Sequence, residues 1–103
     1  MQGIIVEVAM FKLNKGVTDQ AFIAEAERVQ EPFLKNQRGY LDRELLKDES
    51  GLWFDILHWA SMEEAQTAAR TMMQESECQP FIQMIDPQSI QMLHLVRQKA
   101  WGL

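Results

Sequence analysis

Few residues in this chain can do chemistry. His58 lies in the stretch Leu52-Trp53-Phe54-Asp55-Ile56-Leu57-His58-Trp59-Ala60, and His94 lies between Ser89 and Arg97. Imidazole titrates near working pH, so a neutral histidine in an apolar pocket can take a proton from a phenol or hydroquinone. In straight strands His58 shares a face with Phe54 and Ile56, and His94 with Met92 and Val96. If Val6, Val8 and Met10 lie on that face too, both imidazoles look into one pocket under the helices. The alternative is that each is a half-buried strand histidine with an ordinary partner. No metal site is expected. A central strand separates the two rings, neighbouring strands lie ~4.8 Å apart, and no third ligand follows at a recognisable spacing.

Trp53, Asp55, Leu57 and Trp59 occupy the other face of the same stretch. We read them as the core of a dimer, with the indole nitrogens bonded at the seam. The alternative is an aromatic wall for a planar substrate. Parity alone does not choose between them, and one β-bulge swaps the faces. Glu7 and Asp55 are carboxylates in apolar strands and need partners. Arg43 or Arg97 can supply one, across the interface if need be. Alternatively one carboxylate is a raised-pKa acid in the pocket. Tyr40 heads a strand and can hydrogen-bond a ligand. The methionines, Met10 and Met92 among them, give an adaptable lining or simply fill gaps. Cys78 has no basic neighbour in sequence, so an activated thiolate is not expected. The candidate set is therefore His58 and His94 for catalysis, with Tyr40, Trp59, Met10, Phe22 and Met92 for substrate.

The elements that must position these residues follow from periodicity. Ile4 to Leu13 alternates as a strand, and Asn14-Lys15-Gly16 ends it. Thr18 caps a helix whose first turn holds Asp19. Phe22, Ala26, Val29 and Phe33 recur at helical spacing. Pro32 falls inside that pattern and kinks or divides the helix; Gly39 stops it. Tyr40 to Lys47 is a second, half-exposed strand suited to a sheet edge, and Asp48-Glu49-Ser50-Gly51 is a hairpin loop. Leu52 to Ala60 is the third strand. It is apolar on both faces, as strands covered on both sides are. Ser61-Met62-Glu63-Glu64 is a capping box. It opens a second helix whose inner face is Ala65, Ala68, Ala69 and Met72. A short helix spans Pro80 to Ile85, Asp86-Pro87 breaks it, and Ser89 to Arg97 is the last strand.

The order β-α-β-β-α-β is the ferredoxin-like α+β plan: a four-stranded antiparallel sheet with the helices on one face. All 103 residues are expected to form a single domain. The helices cover only one side, so the other side is expected to close against a second copy, sheets back to back, in a homodimer. A net charge of -5 with no basic run argues against nucleic acid and anionic membranes as partners. No apolar stretch is long enough to span a bilayer. The start Met1-Gln2-Gly3-Ile4 lacks a signal peptide's basic beginning, and a single cysteine excludes an intrachain disulfide, so a cytoplasmic setting is expected.

Several segments together resemble a known group. Val6-Glu7-Val8-Ala9-Met10-Phe11-Lys12-Leu13 followed by Gly16-Val17 resembles the first strand and turn of the dimeric α/β-barrel superfamily. Gly39-Tyr40 resembles its Pro-Gly-Phe or Pro-Gly-Tyr lead-in to the second strand, with Arg38 in place of the proline. Trp59-Ala60-Ser61-Met62-Glu63-Glu64-Ala65 resembles its Trp-x-Ser-x-Glu-Ala junction, and Ser76-Glu77-Cys78-Gln79-Pro80-Phe81 its segment before the last strand. The nearest branch is the antibiotic-biosynthesis-monooxygenase-like group.

This resemblance implies a homodimer with a pocket between each sheet and its helices. It also implies a monooxygenase that needs no cofactor and acts on a small aromatic or polyketide-like molecule. A non-catalytic dimeric ligand-binding or stress-responsive protein of the same fold is the alternative. Haem binding or degradation is a third. Studied relatives often carry a histidine in the middle of the second helix, where this chain has Ala68 and Ala69.

Overall fold

The computed structural model describes residues 3–102. Four strands, β1 (Ile5–Phe11), β2 (Tyr40–Lys47), β3 (Trp53–Trp59) and β4 (Gln91–Val96), form one antiparallel sheet in the order β2-β3-β1-β4. The helices α1 (Asp19–Gln30), α2 (Met62–Gln74) and α3 (Gln79–Gln83) join them. This is the ferredoxin-like plan expected from the sequence, with the two most apolar strands at the centre.

Each helix starts where its residues can satisfy free backbone groups. The Thr18 hydroxyl accepts from the Ala21 N–H at 3.1 Å, and Asp19 sits in the first turn of α1. The Ser61 hydroxyl accepts from the Glu64 N–H at 3.2 Å and donates to the Glu64 carboxylate at 3.0 Å, closing the capping box of α2. Pro32 divides the first helical pattern: α1 ends at Gln30, and a separate 3-10 turn at Leu34–Asn36 buries Leu34. Gly39 has φ 84° and packs against Glu64, where a Cβ would fall 2.4 Å from its carboxylate oxygen. Only glycine fits that crossing of the β2 start and the α2 cap.

β1 and β3 bury every second side chain. The buried set is Ile5, Glu7, Ala9 and Phe11 on β1, and Trp53, Asp55, Leu57 and Trp59 on β3. These face the helices, which corrects the expectation that the Trp53–Trp59 face is a dimer core. Both faces of β3 are apolar, so alternation alone could not choose. The larger side chains take the side that the chain itself can close. Ala65 and Ala68 let α2 lie close over them, and Phe22 of α1 packs edge-on to Phe11 and Trp53 with centroids 5.5 and 4.9 Å away. Phe22 also stacks on Phe81 of α3 at 5.1 Å.

The other face carries Val6, Val8 and Met10 with Phe54, Ile56 and His58, all half-buried. Leu46, Leu93 and Leu95 flank them and are 43–48% exposed. The β4 edge is held by the turn before it. Leu13 bridges Ile85, the Asp86 N–H donates to the Lys12 carbonyl at 2.9 Å, and the Lys12 N–H donates to the Ser89 hydroxyl at 2.9 Å. Side-chain pairing at Ser89 takes the place of a ladder there, so the strand starts at Gln91, later than expected.

Candidate functional site

A cavity of about 310 Å³ lies between the sheet and α2 and α3. Its floor is the buried face of the central strands, with Glu7 and Phe11 from β1 and Asp55, Leu57 and Trp59 from β3. Ala68, Ala69 and Met72 of α2 form the roof. The side chains of Ala68 and Ala69 stop at a methyl group there, which leaves space beneath α2. Met73, Ile90 and Met92 line the cavity and are also exposed to solvent, so they mark an apolar mouth.

Two acids stand in this otherwise apolar floor, each held by a base from an edge strand. Asp55 is paired with Arg43 of β2 through two parallel bonds, Nε to Oδ1 at 2.8 Å and Nη2 to Oδ2 at 2.7 Å. Both side chains are under 10% exposed, and Arg43 Nη1 also donates to the Ala26 carbonyl at 2.9 Å. The fork is therefore fully committed. Glu7 sits opposite His94 in the β1–β4 ladder, and His94 Nε2 lies 3.0 Å from Glu7 Oε1. Burial pushes the Glu7 carboxyl above its ordinary value. The hydrogen bond and charge of His94 pull it back, the neighbouring Asp55 charge pushes it up again, and the Trp59 indole N–H lowers it slightly.

Trp59 completes the floor. It is 1% exposed, and its indole Nε1–H has no hydrogen-bond partner. The indole N–H lies close enough to Glu7 to favour its charged form, without reaching the geometry of a full hydrogen bond. Buried indole N–H groups are normally satisfied, so this one, beside Glu7 on the cavity floor, is an under-used donor. Tyr40 packs edge-on to Trp59 with centroids 5.9 Å apart, and its hydroxyl accepts from the Gln30 amide at 2.9 Å. It supports the indole from behind.

The expected site residues divide accordingly. Trp59 and Met92 line the cavity, and His94 stands behind Glu7. Phe22 is buried in the aromatic cluster beside the cavity, and Tyr40 backs Trp59. His58 and Met10 lie on the opposite face of the sheet, so the two imidazoles do not share a pocket. His58 Nδ1 is paired with Asp42 across β2–β3, on the side away from the helices. A bulge at Leu41 lets Tyr40 face the helices while Asp42 faces out.

Sequence reasoning placed the imidazoles together because Val6, Val8 and Met10 suggested the covered face. The signal that would have placed them is Glu7. Once β1 and β4 pair antiparallel, His94 is the one base that can reach it from the neighbouring strand. Among the described residues no three His, Cys, Asp or Glu side chains gather to hold a metal ion. No helix among them is long and apolar enough to cross a membrane.

No family model matches the chain, and no curated protein matches it. Solved structures do. A variant of SnoaB, a cofactor-independent oxygenase from Streptomyces nogalater, superposes with a TM-score of 0.72 at 12% identity, over 95% of this chain and 96% of that one. A candidate antibiotic biosynthesis monooxygenase from Bordetella bronchiseptica gives 0.71 at 19% identity, over 97% and 100% of the two chains. A haem-degrading protein from Mycobacterium tuberculosis gives 0.65 at 18% identity, over 99% of each. This chain therefore has the ferredoxin-like fold of these proteins, end to end. That is the fold implied by its resemblance to the antibiotic-biosynthesis-monooxygenase-like group. Shared fold leaves the chemistry to be argued from the site.

Proposed function

We propose that this protein is a homodimeric, cofactor-independent monooxygenase-like enzyme that binds a small aromatic or polyketide-like molecule in the cavity. The observation that carries this reading is the pairing of a buried, proton-hungry Glu7 with an unbonded Trp59 indole N–H on one apolar floor. A single phenolic hydroxyl satisfies both: its proton goes to Glu7, and its oxygen accepts from Trp59 Nε1. His94 holds Glu7 in place. The apolar walls limit the access of water to the anion that forms.

The chemistry balances with molecular oxygen as the oxidant. Glu7 takes the proton that leaves the substrate. Oxygen adds to the electron-rich ring carbon, forming a C–O bond. Glu7 returns its proton to the resulting peroxide; the O–O bond and the C–H bond on the same carbon then break, and the hydroxide and proton leave as water while the C=O bond forms. One oxygen atom enters the product and the other leaves as water. The fold shared with a cofactor-independent oxygenase supports this reading, and Ala68 and Ala69 at the cavity roof tell against haem chemistry.

The homodimer is supported by the face opposite the helices. Two central strands present Val6, Val8, Phe54 and Ile56 there with no cover from the chain itself. A stable interface on such a face buries on the order of 2,000 Å². The single free cysteine supports a cytoplasmic setting.

Oxygen uptake with a panel of hydroquinones and anthrones tests the enzyme reading. The wild type should outpace a Glu7→Gln, His94→Ala double variant on at least one of them. If the two are equally slow across the panel while ligands still raise the melting temperature, the protein is a binder and the enzymatic reading is dropped.

A further inference from the structure

The charge distribution around the cavity carries a statement about ligand class, which rests on the cavity being a ligand site. Two acids line the cavity, Glu7 and Asp55, and among the described residues no Lys, Arg or His does. The bases that balance them stand behind. Arg43 occupies both oxygens of Asp55, and His94 reaches Glu7 only through Oε1. A molecule in the cavity therefore meets carboxylates before cations, and Glu7 keeps Oε2 for it. Phe11 and Trp59 add aromatic rings to the walls, and aromatic rings attract cations; the Phe81 ring already has the Arg43 guanidinium 5.6 Å from its centroid. The net charge of -5 has the same sign over longer range. An incoming carboxylate or phosphate finds no cation to receive it, and burying it there unpaired is costly. The indole N–H of Trp59 lacks a full hydrogen bond on this floor, but as a donor it offers an ammonium nothing to bond, which leaves Glu7 as the polar group that meets the charge.

We infer that the cavity binds apolar ammonium ions more tightly than their neutral analogues and rejects anions, with Glu7 as the group that reads the charge. Aryl-alkylamines are then the ligand class, the ring between the aromatic walls and the ammonium donating to Glu7 Oε2. Such an amine occupies the base, so it competes with substrate and is not turned over by the proton-transfer chemistry.

Three probes of equal size test this by calorimetric titration of the whole protein near neutral pH: naphthylmethylamine, naphthylmethanol and naphthoate. The amine should bind about tenfold more tightly than the alcohol, because its hydrogen bond is charge-assisted, and naphthoate should bind more weakly than either. Glu7→Gln should bring the amine-to-alcohol ratio to about one, an order of magnitude below wild type. If the alcohol binds but the amine is no tighter, or naphthoate equals them, the charge inference is overturned while the cavity reading stands. If none of the three binds, both fall. The wild-type series decides even if the Glu7 variant does not fold.

Discussion

Removing Arg43 should be the most damaging single change at the site. Its guanidinium is 7% exposed and meets an Asp55 that is 8% exposed, with both hydrogen bonds at 2.8 Å or less. In Arg43→Met the Asp55 carboxylate stays buried with no cation. Breaking a buried pair in this way costs about 3–5 kcal/mol, and the lost bond to the Ala26 carbonyl adds to it. For a chain of 103 residues each kcal/mol lowers the melting temperature by about 4–8 °C, so a fall of at least ~12 °C is expected. The double variant Arg43→Met, Asp55→Leu removes both charges and should recover most of that loss, because well-packed apolar replacements of buried pairs are often neutral. Urea unfolding of wild type, the single variant and the double variant, at one protein concentration, gives the comparison. A single variant within ~1 kcal/mol of wild type, or a double variant as unstable as the single, would refute the argument that the pair is buried and mutually dependent.

Glu7 gives a pH signature. Its folded value is raised above the ordinary 4.5, so the folded state holds the proton more readily than the unfolded state. Its contribution to stability is full below that ordinary value and is lost as pH rises through the folded one. Glu7→Gln should flatten that fall in the urea midpoint, and an unchanged pH slope would count against the buried acid. Filling the cavity roof with Ala69→Phe should abolish ligand-induced thermal shifts while far-UV circular dichroism stays native. Ile56→Asp, in the middle of the uncovered sheet face, should turn a dimer into a monomer by sedimentation at micromolar concentration. A wild type that already sediments as a monomer removes the homodimer from the account. Burial and the nearby Glu77 and Glu75 charges push the Cys78 thiol up to about 11. Mass spectrometry after iodoacetamide treatment should find it unmodified in the native protein and alkylated in urea.

The fold was legible in the sequence because each element carried its own signal. Thr18 and Ser61 marked helix starts, Pro32 the break that ends the first helix near Gln30 rather than at Gly39, and the apolar character of β1 and β3 their central places. The site was only half legible. His94, Trp59 and Met92 were singled out, yet His58 was placed beside them on the wrong side of the sheet. The reason is physical. When both faces of a strand are apolar, period-two alternation sorts residues into two sets without saying which set the helices cover. Asp55 and Glu7 held that information, since a carboxylate among large apolar groups must lie where a base can reach it. Asp55 found Arg43, one of the two arginines the sequence offered, within the same chain. The partner of Glu7, His94, could be named only after the β1–β4 register was known. The space itself arises from Ala68 and Ala69, and small residues on a helix look the same in sequence whether they enclose a cavity or a tight contact.

If the cavity takes a ligand, the Trp59 indole N–H, without a full hydrogen bond on its floor, is the group that reports it most directly. The chain has three tryptophans, so a proton–nitrogen correlation spectrum shows three indole signals, and Trp59→Phe identifies the one that matters. Addition of a naphthol should move the Trp59 signal downfield as its N–H gains an acceptor, while the signals of Trp53 and Trp101 move little. A Trp59 signal that stays fixed while the naphthol binds would contradict the site described here.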